Sequence, residues 1–222
     1  HEPVLARDGS KVIFSHQGAS VLMNGGPNDL YLHHVAANSN VLAAPNVNFG
    51  GSADGLCNEA VLSPDGRWLL FRTRASNLTP QVCIGFDGML VLRDLTAGGP
   101  AHCIATNDPG KQPFFRLPGD WAFSADSQWL AFNAEDSGNT LIYRQPTAGG
   151  SRSLVATNGF QPLIANGGNV VAWQSRMPAV GYADTNGTWD VFHQRVAEGV
   201  NKVVSLDQSG TQTGNGASRL IA

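Results

Sequence analysis

The segment with the clearest potential for chemistry is a short loop that is rich in oxygen ligands. Asp184, Asn186 and Asp190 lie close together around Gly187, as oxygen ligands do in calcium-binding loops. Calcium takes about six to eight oxygens, and this loop offers fewer and has no bidentate glutamate after it. Two interpretations stay open: a structural calcium site, or a tight turn in which Asp184 and Asn186 cap their own backbone amides. Calcium is the only cofactor that the sequence suggests.

Other catalytic patterns are missing from the sequence. There is no Gly-x-Ser-x-Gly motif, which marks one class of nucleophilic serine. The paired glycines precede no predicted helix, so they are not phosphate-binding loops. The three cysteines show no Cys-x-x-Cys spacing, which argues against a zinc ribbon or an attached haem. The sequence therefore favours a protein that is not itself an enzyme.

A fourfold internal repeat predicts the architecture. The first half of each copy is a short apolar strand, a turn pair, and a second apolar strand that ends in an aromatic residue. The turn pair is Asp-Gly or a near equivalent, which favours a tight turn because Gly accepts positive φ and Asp bonds its own backbone. The four copies occupy residues 3–14, 60–71, 122–132 and 163–173.

The second half of each copy is another hairpin. Third strands are predicted at residues 29–35, 89–95, 140–146 and 190–196. Fourth strands are predicted at 41–43, 102–105, 153–156 and 202–205. Four antiparallel strands in one repeated unit form the blade of a β-propeller. The sequence thus predicts an all-β propeller with about four four-stranded blades, whereas a β-sandwich would not explain the repeat.

Residues 1–222 are therefore expected to form a single propeller domain or segment. Its units span about 3–59, 60–120, 121–161 and 162–218, and residues 219–222 are predicted to begin a further blade. Such a strand would duplicate the innermost strand at Val4-Leu5 instead of completing another blade. The pattern favours a segment of a larger propeller, or a ring that another chain completes, over a closed ring of four blades.

The units differ in length because of four insertions. These are residues 44–59, 74–88, 107–120 and 174–189. In a propeller, connections between blades and connections between second and third strands leave the sheets on one side. We therefore expect all four insertions on one loop face, which is the place to look for function.

One turn of the repeat resembles the TolB-like propeller family. Leu62-Ser-Pro-Asp-Gly-Arg-Trp-Leu-Leu-Phe71 is similar to the family's Ser-Pro-Asp-Gly-Arg-x-Leu-Ala-Phe pattern, and the four copies extend the resemblance over essentially the whole chain. Residues 184–192 and 204–217 are similar to secreted or periplasmic bacterial propellers. The resemblance implies a bacterial periplasmic or extracellular protein. It leaves the function open, since propellers serve as scaffolds, sensors, lyases and gating domains of serine peptidases.

The expected propeller placement of the three cysteines predicts one disulfide. Cys57 falls in the loop that enters the second unit, and Cys83 in the loop between the second and third strands of that unit. Cys103 falls on the outer strand. We expect a Cys57–Cys83 bridge, with Cys83–Cys103 as the alternative. Either bridge fits an exported protein.

Composition narrows the function classes. Only 14% of the residues are charged and 42% are hydrophobic, which is unlike a disordered chain. The net charge of −3 and the scattered basic residues argue against nucleic-acid binding. No apolar run approaches the roughly 18 residues of a membrane span.

The leading hypothesis is a non-enzymatic binding or assembly module. It would engage protein partners, or a further chain of the same assembly, through its loop face or its open edge strands. Such contacts would produce an oligomer or complete the ring. The alternative is the propeller part of a larger enzyme with its catalytic residues elsewhere, such as a carbohydrate-active lyase or hydrolase or another envelope enzyme.

Overall fold

A computed structural model describes residues 3–16, 29–80, 88–106, 120–136, 139–177 and 187–220. Regular structure in these ranges consists of 16 β-strands and one 3-10 turn, Asn166–Gly168. The strands form four separate four-stranded sheets. Each sheet is an antiparallel meander in which strands adjacent in sequence are hydrogen-bonded neighbours. No helix within the described ranges is long and apolar enough to cross a membrane.

The first two sheets, blades 1 and 2, belong to one compact unit, His1–Arg116, which we call unit 1. Blade 1 contains β1 (Val4–Leu5), β2 (Lys11–His16), β3 (Asp29–His34) and β4 (Ser39–Leu42). Blade 2 contains β5 (Cys57–Leu62), β6 (Trp68–Thr73), β7 (Met89–Asp94) and β8 (His102–Thr106).

The other two sheets, blades 3 and 4, belong to a second compact unit, Leu117–Ala222, which we call unit 2. Blade 3 contains β9 (Trp121–Phe123), β10 (Trp129–Asp136), β11 (Asn139–Pro146) and β12 (Ser153–Thr157). Blade 4 contains β13 (Phe160–Ile164), β14 (Val170–Ser175), β15 (Asp190–Arg195) and β16 (Val200–Val203). The predicted all-β fold of four-stranded antiparallel blades is thus confirmed.

The end of the chain departs from the sequence prediction. Arg219 and Leu220 lie in irregular backbone and not in the strand predicted for 219–222. Residues 221 and 222 lie outside the described ranges. Just before this segment, the backbone N–H of Ser218 donates to the carbonyl of Trp189 at 2.7 Å. The chain is therefore held here by a loop contact and not by a strand ladder.

The predicted turn between the first two strands recurs in all four blades. In blade 2 the N–H of Ser63 donates to the carbonyl of Trp68 at 2.8 Å, and Gly66 takes a φ of 66°. Asp65 Oδ1 closes the turn by accepting from the N–H of Arg67 at 3.0 Å. In blade 3, where serine replaces glycine, Ser127 takes a φ of 60°. Turn geometry therefore survives the loss of the Asp-Gly pair.

Central strands are buried on both faces in blade 2. Every residue of β7 is buried, and Leu69, Leu70 and Phe71 of β6 have no exposed surface. This explains why these strands appear in the sequence as continuous apolar runs and not as an alternating pattern.

The recurring aromatic at the end of the second strand pairs across to the third strand. Phe14 stacks on Tyr31, Phe132 on Tyr143 and Trp173 on Phe192, with ring centroids 5.5, 5.8 and 6.1 Å apart. Each pair is directly opposite in the strand register. These aromatic pairs therefore stabilise the sheet of their own blade.

Within each unit, a basic side chain of one blade donates a hydrogen bond to the turn of the next blade. In unit 1, Lys11 Nζ at the start of β2 donates to the carbonyl oxygen of Gly66 at 2.8 Å. In unit 2, the Arg144 guanidinium on β11 donates to the carbonyl oxygen of Gly168. Both acceptors are turn glycines of the following blade, so the same type of contact recurs in the two units.

Gly168 of blade 4 packs closely against Trp129 of blade 3. A Cβ added there would lie 2.3 Å from the Trp129 ring. The guanidinium carbon of Arg144 lies 4.6 Å from the centroid of the same ring. Position 168 therefore admits only glycine without displacement of the indole.

We expect Gly168→Ala to lower the free energy of unfolding by about 3 kcal/mol or more. The added methyl group overlaps the Trp129 ring, and alanine resists the φ of +67°. Gly167→Ala is the matched control, because its φ is +71° and no atom lies within 4 Å of the added Cβ. The control should lose only about 1–2 kcal/mol. Denaturant titration of both variants measures the difference, and equal losses would contradict the close contact.

Candidate functional site

The candidate site is a cavity of about 560 Å³ in unit 2. It lies where β13 begins and β14 ends, and its volume is in the usual range of small-molecule sites. Asp120, Arg176, Met177 and Trp189 line it, and all four belong to the insertions at 107–120 and 174–189. The cavity is therefore built in part from segments that the sequence assigned to the loop face.

One wall of the cavity is apolar. Phe160, the first residue of β13, meets Trp189 edge to face, with ring centroids 5.2 Å apart and an interplanar angle of 87°. Both rings are half-buried, and the side chain of Met177 is 53% exposed. Phe160, Trp189 and Met177 together present an apolar surface to the cavity.

Two arginines supply positive charge to the same cavity. The guanidinium carbon of Arg176 lies 4.6 Å from the Trp189 ring centroid, a cation–π contact. Arg219 is a second lining residue, and both arginines are exposed. Within the described part of the chain, neither forms an ion pair or donates a hydrogen bond. Among the described residues, nothing competes with a ligand for their N–H groups.

Amide side chains form the remaining wall, on strained backbone. Asn158 and Gln161 have φ values of 57° and 50°, in the left-handed region that non-glycine residues rarely adopt. The register of β13 shifts between Phe160 and Leu163, so the strand bulges at Gln161. Gln174 Nε2 donates to Gln161 Oε1 at 2.5 Å. Strain of this kind concentrates at functional sites.

Asp120 supplies a buried carboxyl group at the edge of the cavity. It is 6% exposed, and its Oδ2 accepts a hydrogen bond from Asn133 Nδ2 at 2.6 Å. The backbone N–H of Gln161 also donates to it. Burial raises the pKa of Asp120, because the charged form loses hydration, and the two hydrogen bonds oppose that rise. Asp120 is thus tied to the backbone of the bulge.

Of the three predicted calcium ligands, the structure describes only Asp190. Asp184 and Asn186 lie outside the described residues. Asp190, the first residue of β15, is 2% exposed, and its Oδ1 accepts from Ser205 Oγ at 2.9 Å. Over the described ranges, no cluster of three or more His, Cys, Asp or Glu side chains could hold a metal. The calcium site stays a prediction.

The predicted Cys57–Cys83 disulfide is wrong, because Cys57 is a free thiol. β5 begins at Cys57 and includes it, so the residue lies inside the sheet, opposite Thr73, and is completely buried. Its Sγ lies 3.2 Å from Thr73 Oγ1. Burial raises the pKa of the thiol to about 12, which keeps it protonated. Cys103, on β8, is disulfide-bonded, and Cys83 lies outside the described residues.

Unit 1 has a smaller cavity between blade 1 and the first strand of blade 2. It has a volume of about 250 Å³, and Asn58 and Glu59 of β5 line it. The register of β5 also shifts, between Asn58 and Val61, and Glu59 takes a φ of 51°. Arg72 pairs with Glu59 at 3.5 Å. The two units therefore share a bulge but differ in the charge of the residues beside it.

The sequence contains only indirect signals for the residues of the 560 Å³ cavity. Trp189 falls in the 184–192 segment of the family resemblance, and Asp120 and Arg176 fall in the insertions. Nothing in the residue types marks Asn158, Phe160 or Gln161, because their role depends on a bulge that has no composition signature.

The four antiparallel meanders define the class of protein: the chain is part of a β-propeller. Solved propellers are similar to it at low identity. The β-propeller domain of the Trilobed protease from Pyrococcus furiosus, which has an open velcro topology, aligns with 92% of this chain at 12% identity and a TM-score of 0.55. A Mycobacterium tuberculosis puromycin-hydrolyzing peptidase aligns with 91% at 14% identity and a TM-score of 0.57. An acylaminoacyl peptidase aligns with 92% at 12% identity and a TM-score of 0.53.

These similarities establish the fold alone. The chain spans 56% of the length of the Trilobed protease propeller, 30% of the puromycin-hydrolyzing peptidase and 32% of the acylaminoacyl peptidase. No protein-family model matches the chain, and no curated protein matches it.

The pKa of Asp120 predicts a specific pH dependence of stability. Because this pKa is higher in the folded chain than its ordinary value of 3.8, the folded state binds more protons than the unfolded state between the two values. The Asp120 contribution to the free energy of unfolding should therefore decrease as the pH rises from about 3.8 through the folded pKa.

Urea titrations of the wild type and Asp120→Asn at a series of pH values test this. The wild type should lose stability relative to the variant as the pH rises through that window. Subtracting the two curves removes the contribution of groups such as Asp126, whose pKa a hydrogen bond from Ser124 lowers. A difference that stays constant with pH would contradict the expectation.

Proposed function

We propose that this chain is the propeller part of a larger hydrolase of the peptidase type, with the catalytic residues outside residues 1–222. The observation that carries the proposal is the likeness to propeller-bearing peptidases. Three of them align with 91–92% of the chain at TM-scores of 0.53–0.57. The absence of a Gly-x-Ser-x-Gly motif from the sequence agrees with a nucleophile that lies elsewhere.

In this proposal the propeller contributes recognition and not bond cleavage. A cavity with an apolar wall, two arginines without partners among the described residues, and strained amide residues has the composition of a binding site. A propeller that supplies such a cavity can select or retain a substrate while another domain performs the chemistry. The comparisons favour this function over a stand-alone binding module.

We also propose TolB-like membership and an exported location, periplasmic or extracellular. The Leu62–Phe71 turn supports the first, since it combines the Ser-Pro-Asp-Gly-Arg pattern with the expected tight turn. The disulfide bond at Cys103 supports the second, because such bonds persist mainly in oxidising compartments.

The size of the native polypeptide tests the hydrolase proposal. Antibodies raised against residues 1–222 should detect, in cells that encode the chain, a polypeptide much larger than 222 residues. Mass spectrometry of that polypeptide should identify a hydrolase domain, and the immunoprecipitate should cleave aminoacyl p-nitroanilides. The purified 222-residue chain serves as the control and should not cleave them. A native polypeptide of about this length without peptidase activity would instead support the stand-alone binding module.

A cysteine map tests the exported location. We expect a Cys83–Cys103 bridge and a free Cys57. Digestion without reduction should give one linked peptide pair that contains Cys83 and Cys103. Iodoacetamide should modify Cys57 only after denaturation, because its sulfur is buried and protonated in the folded chain. Three free thiols in protein isolated from its native compartment would contradict the proposal.

A further inference from the structure

The 560 Å³ cavity of unit 2 combines three kinds of group that few ligands satisfy together. Arg176 is stacked on Trp189 at 4.6 Å, which leaves the edge of the guanidinium free to form paired hydrogen bonds. Arg219 supplies a second guanidinium at the same cavity. Two guanidinium groups without a carboxylate partner in the described ranges favour an anionic ligand.

The carboxyl group in the cavity wall is engaged by other donors and forms no ion pair with these arginines among the described residues. Asp120 Oδ2 already accepts from Asn133 Nδ2 at 2.6 Å, and the Gln161 N–H also donates to this side chain. No ion pair joins Asp120 to an arginine within the described residues. Among the described lining residues, two guanidinium groups therefore face a single carboxyl group.

The apolar wall requires a second property of the ligand. Phe160 and Trp189 offer the edge and face of a T-shaped aromatic pair, and Met177 adds a flexible side chain that adapts to varied shapes. A bare inorganic anion would leave this surface in water. A ligand that carries an apolar group next to its negative charge would cover it.

Amide side chains supply the third property. The Asn158 side chain has no hydrogen-bond partner within the described ranges, and Gln161 uses its Oε1 to accept from Gln174. A primary amide both donates and accepts, which matches the N–H and C=O of a peptide bond. The strained φ values of Asn158 and Gln161 place these two amides in the cavity wall.

We propose that the cavity binds the C-terminal end of a peptide: a free carboxylate at Arg176 and Arg219, an apolar last side chain against Phe160 and Trp189, and the preceding peptide bond at Asn158. The proposal goes beyond the proposed function, because such binding needs no catalytic residue. A volume of about 560 Å³ holds a ligand of about two residues.

Calorimetric titration of the full 222-residue chain tests this with N-acetyl-Ala-Phe as the free acid and as the C-terminal amide. The free acid should bind at least tenfold more tightly than the amide at low salt. Its affinity should fall as the salt concentration rises, since exposed charges are screened. Equal affinities, or no binding of either compound, would overturn the proposal. Inorganic phosphate that competes better than the free acid would also overturn it.

Substitutions of the arginines locate the binding. Arg219→Gln and Arg176→Gln should each weaken binding of the free acid at least tenfold and change binding of the amide little. Arg7→Gln is the matched control, because Arg7 is an exposed arginine of unit 1 that does not line the cavity. Thermal melts should be similar for all three variants, which separates lost binding from lost folding.

An unchanged affinity of both cavity variants would overturn the assignment. Neither failure would alter the expected size of the native polypeptide, so the proposed hydrolase function is tested separately.

Discussion

The close approach between a turn glycine and the neighbouring blade is the contact on which each unit depends. A four-stranded sheet has two faces, and a single sheet cannot bury both, so each blade needs a neighbour. In unit 2 the neighbour is reached at Gly168, which lies against Trp129 and accepts a hydrogen bond from Arg144. In unit 1 Lys11 makes the equivalent bond to Gly66. At Gly168 the turn glycine therefore serves two purposes, because its positive φ closes the hairpin and its missing side chain admits the adjacent blade, whereas a Cβ added at Gly66 would make only ordinary contacts.

The local nature of the turn explains why the fold could be predicted from the sequence. Each tight turn depends on residues that are adjacent in the chain, so the pair Asp65 and Gly66 predicts the hairpin that it forms. The turn also tolerates a replacement of its glycine, because the other local contacts remain. Ser127 replaces glycine yet takes a φ of 60°, and Asp126 Oδ1 still accepts from the Gln128 N–H at 3.2 Å. A repeat built from local contacts remains recognisable when single residues change.

The candidate site could not be predicted in the same way, because its residues meet only after β13 bulges. Asp120, Gln161 and Trp189 are distant in sequence, and no residue type marks the left-handed φ of Gln161. The error at Cys57 has a related origin. The predicted first strand of blade 2 began at residue 60, whereas β5 begins at Cys57 and continues through the bulge at Glu59. The extra residues place the sulfur inside the sheet, beside Thr73.

The bulge also shows how the repeat varies the charge at one structural position. Gln161 and Glu59 occupy the same place in blades 4 and 2, yet Gln161 bonds to the neutral Gln174, whereas Glu59 pairs with the cationic Arg72. In unit 1 the charge of Glu59, which lines a small cavity, is thus matched by Arg72. In unit 2 the wall is neutral at this place, and the positive charge comes from Arg176 and Arg219, which line the cavity from outside the strands. Arg144, Gly168 and Trp129 join the blades at the turn end of β13, whereas Asp120 accepts a hydrogen bond from the Gln161 N–H at the bulge itself. A substitution at the bulge therefore changes the binding chemistry and a structural contact together.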